Sequence, residues 1–175
     1  MVTAANGRKC NLGCGPDIRE GWVNVDRTGL AGLTVQADLA HAPYPFKDSV
    51  FDYLDARHVL EHLPNVVSTV EEIHRICKPR AAVYVEVPYW NSDDAHTDPT
   101  HIHFFGDRSF DYFTEGRMCS GFNYYSGARF TIERIDYKLN ESRYLSWIPR
   151  RLRIKFAKYV GNMVTAIGFH LRVIK

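Results

Sequence analysis

Histidine, aspartate and glycine recur in this sequence at spacings that suit chemistry. Six of the eight histidines fall between His58 and His103, and His96, Asp98, His101 and His103 make a His-x-Asp-x-x-His-x-His run. Imidazole nitrogens and carboxylates are metal ligands, and an imidazole near its ordinary pKa can accept a hydroxyl proton at neutral pH. No cysteine supports the run. Substrate contact, proton transfer or plain turn histidines are therefore expected ahead of a metal. A second constellation is Cys10-Asn11-Leu12-Gly13-Cys14-Gly15, an apolar run entering a tight glycine turn. Glycine there permits unusual dihedrals and close approach of a ligand to the backbone. The turn lacks the dinucleotide Gly-x-Gly-x-x-Gly pattern, because position 18 is Ile. Asp26 and Asp38 end the next two apolar runs. A carboxylate there can accept hydrogen bonds from ribose hydroxyls or an exocyclic amine, or simply start a turn.

The elements that must carry these residues read as follows. Short β-branched runs at 8–12, 22–25, 33–37, 50–54 and 82–87 are nearly continuous, as in strands buried on both faces of a parallel sheet. Residues 65–77 place Val66, Val70, Ile73 and Cys77 at helical spacing, with Pro79 just beyond. Residues 128–139 predict a long strand and 169–174 a final one. Between them, 148–167 predicts an amphipathic helix with Leu152, Phe156, Val160, Met163, Val164 and Ile167 on one face. Residues 89–127 are rich in aromatics, His, Asp and Gly, with a short helix expected near 108–113. A connection this long is usually functional, its aromatics argue against disorder, and a lid is expected there.

Length and composition set the frame. The 175 residues suggest one domain over 1–175, large enough to bury a core without disulfide or metal. The net charge of +2, from 22 basic and 20 acidic residues, is too balanced for gripping a phosphate backbone, so no nucleic-acid partner is expected. No apolar run approaches a membrane span, and residues 1–7 lack the apolar core of a secretory leader. Cys10, Cys14, Cys77 and Cys119 form no Cys-x-x-Cys pair. Cys10 and Cys14 open an iron–sulfur radical spacing, but Asp17 stands where its third ligand would be. The cysteines read as reduced thiols of a cytoplasmic protein. Arg150, Arg151, Arg153, Lys155 and Lys158 give the late helix a basic face. A solvated surface is expected there, ahead of peripheral contact with an anionic membrane.

In order along the chain, Asn11-Leu12-Gly13-Cys14-Gly15, Asp26, Ala37-Asp38-Leu39, Phe51-Asp52, His58-Val59-Leu60-Glu61-His62-Leu63 and Glu72-Ile73-His74-Arg75 resemble the small, type-11-like class I S-adenosylmethionine-dependent methyltransferases. Leu171-Arg172-Val173-Ile174-Lys175 resembles the last strand of that fold. The resemblance implies an α/β fold: a Rossmann-like, seven-stranded, mostly parallel sheet with an antiparallel last strand. The connection from Gly15 to Trp22 is too short for a crossover helix, so the first one is expected to be short or absent. Where the family commonly has Lys-Pro-Gly-Gly, this chain has Lys78-Pro79-Arg80-Ala81. A turn of different shape is expected there, because positive φ strains Arg or Ala.

The resemblance also implies S-adenosylmethionine as cofactor. Leu12, Gly13, Cys14 and Gly15 would hold its methionine part, Asp26 its ribose, and Asp38 and Leu39 its adenine, with His58 facing the methyl. The expected reaction is methyl transfer to an oxygen or nitrogen of a small or medium acceptor. A saccharide hydroxyl is suggested by the resemblance alone. His58 and His101 are the candidate bases. Tyr89, Trp90, His96 and Asp98 are the candidate acceptor contacts, and no metal ligand is assigned. Two other readings stand beside this one: a non-catalytic module of the same fold, holding the cofactor or acting through a partner, and a metal-dependent hydrolase built on the histidines.

Overall fold

The computed structural model describes residues 7–114, 124–142 and 144–175, so Cys119 and part of the expected lid lie outside the described residues. In chain order come β1 (Lys9–Leu12), β2 (Val23–Asp26), β3 (Val35–Gln36), β4 (Phe51–Arg57), α1 (Val66–Ile76), β5 (Cys77–Pro88), α2 (Asp93–Thr97), β6 (Arg129–Leu139), α3 (Arg150–Phe156) and β7 (Val164–Ile174). Two 3-10 turns, Leu60–His62 and Asp111–Phe113, are also present among the described residues. The strands form one sheet in the order β3-β2-β1-β4-β5-β7-β6. Every neighbouring pair is parallel except those of β7, which runs antiparallel to β5 and β6.

One face of this sheet is the core. Leu12, Leu54, Val83 and Val85 pack in the same cluster as Val70, Ile73 and Ile76 of α1. Asn65 starts that helix by accepting a hydrogen bond from Ser68 N at 3.0 Å, as a helix N-cap residue does. The helix runs straight into β5, where Cys77 is already extended.

The other face differs from the expectation of strands apolar on both sides. Successive strand residues point to opposite faces. Opposite the core, the paired positions Asn24, Asn11, Asp55, Tyr84, His170 and Arg134 make a polar row across six strands. Cys10-Asn11-Leu12, Val23-Asn24-Val25 and Leu54-Asp55-Ala56 therefore alternate. The cause is the missing first crossover helix: residues 13–22 form turns, as their length foretold. Arg19 from this segment lies over the face. It pairs with the buried Asp55 at 3.0 Å and stacks 4.9 Å from the Trp22 ring centre. Arg57 binds the other Asp55 oxygen at 2.9 Å, and Asn11 donates to Asn24 at 3.2 Å. A buried carboxylate is tolerated only with such partners.

Two further expectations are corrected. The late helix spans only Arg150–Phe156. Asn162 takes a positive φ of 61° and ends the turns that follow, and Val164 already belongs to β7. Leu152, Phe156 and Val160 are exposed, whereas Met163, Val164 and Ile167 are buried with the sheet. Their helical spacing joined a short helix to a strand. Arg80 takes a positive φ of 63° inside β5, between the Cys77–Phe51 and Ala82–Tyr53 pairs where the register shifts, so an irregularity within the strand stands where a turn was expected.

Candidate functional site

A cavity of about 370 Å³ opens beyond the carboxyl ends of β1, β2 and β4, where ligands of open α/β sheets bind. Gly13, Asp26, Asp38, Leu39, His58 and His62 are on its wall, with Val59, Leu63 and Thr100. Gly13 and Gly15 both take positive φ, 65° and 47°. A Cβ on Gly13 would stand 2.3 Å from Val59 Cγ2, so a glycine is required there for packing as well as for backbone shape. The turn is braced from β2: Cys14 N donates to Val25 O at 2.9 Å and Gly15 N to Asp26 Oδ2 at 2.8 Å. Thr28 N donates to the other Asp26 oxygen at 2.9 Å. Asp38 accepts from Ala40 N at 3.0 Å and meets His41 Nδ1 at 3.1 Å. That backbone bond, helped by His41, holds its carboxyl below the usual range.

His58 follows β4 with a positive φ of 52°. Its Nδ1 stands 3.3 Å from Glu61 Oε1 and its Nε2 3.6 Å from Glu86 Oε1. Glu61 foremost, then Glu86, pushes the imidazole up to about 9 against the opposing effect of burial. That shift favours the charged imidazole at neutral pH and counts against a base at this position. Glu86 is buried, which raises a carboxyl. Bonds from His58, from Lys138 Nζ at 2.8 Å and from the Tyr84 hydroxyl at 2.5 Å outweigh this and hold it at about 2.

Glu61 is 1% exposed, and neither of its carboxylate oxygens accepts a hydrogen bond. Its carbonyl accepts from Ile102 N at 2.9 Å and His103 N at 3.3 Å, which ties the 60–62 turn to the 100–103 segment. This junction brings His62 beside His101, ring centres 4.6 Å apart. His62 Nδ1 is 2.8 Å from Thr100 Oγ1, and Thr100 in turn donates to Asp98 Oδ1 at 2.7 Å. His101 Nδ1 meets the Ala95 carbonyl at 3.1 Å, and its side chain is 8% exposed.

Of the residues singled out from sequence, Gly13, Asp26, Asp38, Leu39 and His58 meet at the cavity. Leu12 is fully buried in the core, Cys14 is buried, and Gly15 acts through its N–H on Asp26. His101 stands behind His62 rather than on the wall. The acceptor set is not gathered there. Tyr89 is 1% exposed, and with Trp90 it borders a second cavity of about 430 Å³ beside Asp107 and Lys158. His96 stacks on Phe104 at 4.7 Å, and Asp98 holds Thr100. The His96–His103 run is thus not one cluster. Sequence reasoning missed Glu61, His62 and Thr100 as site residues. Glu61 and His62 lie inside the quoted His58–Leu63 motif, but their pairing with Thr100 and His101 is a tertiary contact.

Residues 2–85 match the methyltransferase domain family. Among solved structures, a SAM-dependent methyltransferase from Archaeoglobus fulgidus is similar with a TM-score of 0.68 at 14% identity, covering 96% of this chain and 86% of that one. A putative methyltransferase from Bacillus halodurans gives 0.58 at 16% identity, covering 99% and 95%. The complex of the Haloferax volcanii Trm112 methyltransferase activator with a putative methyltransferase gives 0.59 at 14% identity, covering 99% and 84%. At these identities the likeness is one of fold. No curated protein matches the sequence.

Proposed function

We propose that this chain is a class I S-adenosylmethionine-dependent methyltransferase, which the match of residues 2–85 and the fold support, and that it transfers methyl to an oxygen or nitrogen of a small or medium acceptor, with a saccharide hydroxyl as one candidate. The observation that carries this reading is the single wall on which Gly13, Asp26 and Asp38 meet His58 and His62. Its residues fit the cofactor. The cavity has the size of a small-molecule site. Each Asp26 oxygen keeps a lone pair after its backbone bond, so ribose hydroxyls can donate to it. Leu39, Ala40 and Leu63 offer an apolar surface to an adenine ring, with Asp38 at its edge. When bound, S-adenosylmethionine supplies a methyl on a positively charged sulfur, already a good electrophile.

The chain's own work is then alignment, which converts a bimolecular step into a local one. His58, half-exposed on that wall with its ring nitrogens turned to Glu61 and Glu86, offers the acceptor a positively charged contact surface rather than a free donor. His62 lies on the same wall with His101 behind it, and its imidazole is the group there that can receive a hydroxyl proton.

Titration calorimetry with S-adenosylmethionine tests the cofactor half. Labelled cofactor with panels of saccharides, other alcohols and amines tests the acceptor half. Absence of binding heat would favour a non-catalytic module, the reading that the missing crossover helix supports. Methylation confined to carbon or sulfur acceptors would overturn the acceptor class.

A further inference from the structure

We infer that Glu61, His62 and His101 bind one divalent transition-metal ion of the zinc type at the cavity wall. One ligand atom from each of the three lies within 4.8 Å of the other two. Their protonation follows from their partners. The Ala95 carbonyl can only accept, so His101 Nδ1 carries the proton there. Thr100 gives its hydroxyl proton to Asp98, so its oxygen accepts from His62 Nδ1. On both rings Nε2 is the nitrogen that these partners leave unengaged. The third member is a carboxylate that is 1% exposed and accepts no hydrogen bond, with Oε1 facing His58 and Oε2 left over.

Two imidazoles and a buried carboxylate thus meet with no hydrogen bond among them. Oε1 of Glu61 already has the His58 imidazole 3.3 Å away, and an ion at Oε2 would give the second oxygen the partner it lacks, since a buried charge is costly unless it is paired or coordinates a metal. Two imidazoles and one carboxylate suit zinc or ferrous iron rather than magnesium or calcium, and three protein ligands leave a position open. Ligands in a tetrahedral zinc site lie roughly 3.4 Å apart, so closure takes side-chain shifts of about 1 Å. Thr100 and Ala95 are the outer partners that orient the two rings. His62 and Thr100 line the cavity, which gives the ion a way in.

The binding stands on this geometry alone, while its use in methylation rests on the function proposed above. An acceptor hydroxyl in the open position would be polarised by the ion and would lose its proton to bulk water more readily. The ion would then take over the work that the free His62 imidazole otherwise does.

The test is calorimetric titration of zinc chloride into chelator-treated full-length protein, with metal analysis after desalting. One zinc per chain is expected, with no comparable uptake of magnesium. His62→Ala and His101→Ala should each weaken binding at least tenfold. Thr100→Val, which removes only the orienting hydroxyl, should weaken it about tenfold. Circular dichroism checks that each variant is folded. No stoichiometric zinc in the wild type would overturn the inference, as would unchanged affinity in the folded double histidine variant. Titration of the same samples with S-adenosylmethionine separates the two ideas: zinc without cofactor sinks the methyltransferase reading alone, and cofactor without zinc sinks only the metal site.

Discussion

Removing the Asp26 carboxylate takes away the bonds from Gly15 N and Thr28 N together with any that a bound ribose donates. Asp26→Ala should weaken S-adenosylmethionine binding by about 2–3 kcal/mol, the range for hydrogen bonds to a charged group. It should also lower the thermal midpoint, because the glycine turn loses its brace. Asp26→Asn keeps one acceptor oxygen and should fall between. Calorimetry that finds wild-type affinity in a folded Asp26→Ala variant would leave Asp26 a turn residue only. Arg80 offers the opposite kind of experiment. It is exposed and sits at a φ of 63°, a conformation that costs an L side chain about 1–2 kcal/mol. Arg80→Gly relieves that strain, offset in part by the greater freedom of glycine in the unfolded chain. A net gain of about 1 kcal/mol is expected from denaturant unfolding. A loss would mean that the main-chain position depends on the Arg80 side chain.

The elements differ in how far their sequences give them away. Val66, Val70 and Ile73 specified α1 because one helix buries one periodic stripe. The α1 docking also predicts an acid limb of stability. Glu72 takes bonds from Arg75 Nε at 2.7 Å and from Tyr44 N at 2.6 Å, and the Arg75 partnership holds its carboxyl below the usual range. A depressed carboxyl contributes stability that is present above its unfolded pKa and is lost as pH falls through the folded one. Stability should therefore drop as the pH is lowered past the usual glutamate range, and Glu72→Gln should flatten that slope. Thermal midpoints from pH 6 to about 3 would show it. An unflattened slope would assign the acid limb to other carboxylates. The late helix was misread because 148–167 joins a one-sided helix to a strand buried on its approach, and helical spacing alone cannot separate them. At the site, Gly13, Asp26, Asp38 and His58 were legible as strand ends. Glu61, His62 and Thr100 were not, because the 60–62 turn meets 100–103 through a main-chain contact that no local pattern encodes.

At the scale of the whole molecule, the basic residues near α3 separate into two groups. Arg153 is 7% exposed and donates to the Asn140 carbonyl, and Lys158 pairs with Asp107 at 2.9 Å. Arg150, Arg151 and Lys155 are exposed. Reversing these three to Glu should leave folding and cofactor binding unchanged, with no binding to anionic vesicles in either protein. Salt-sensitive vesicle binding by the wild type, absent in the variant, would instead make this a membrane-facing surface. The described residues include no helix long and apolar enough to cross a membrane. The strand order has one more consequence. One margin of the sheet is the two-residue β3, too short to recruit a neighbour, but the other is the eleven-residue β6. Among the described residues Thr114 bridges it at Phe130 alone. A margin of that length, where left unpaired, is a template on which a strand from another molecule can add. The exposed charges Glu133, Arg134 and Lys138, and the bulge between Ile132 and Arg134, are what stand against such addition. Whether this protein stays dispersed at high concentration thus depends on side chains far from its cavity. Light scattering of a Glu133→Val, Arg134→Val variant should register their loss as self-association with the cavity residues untouched.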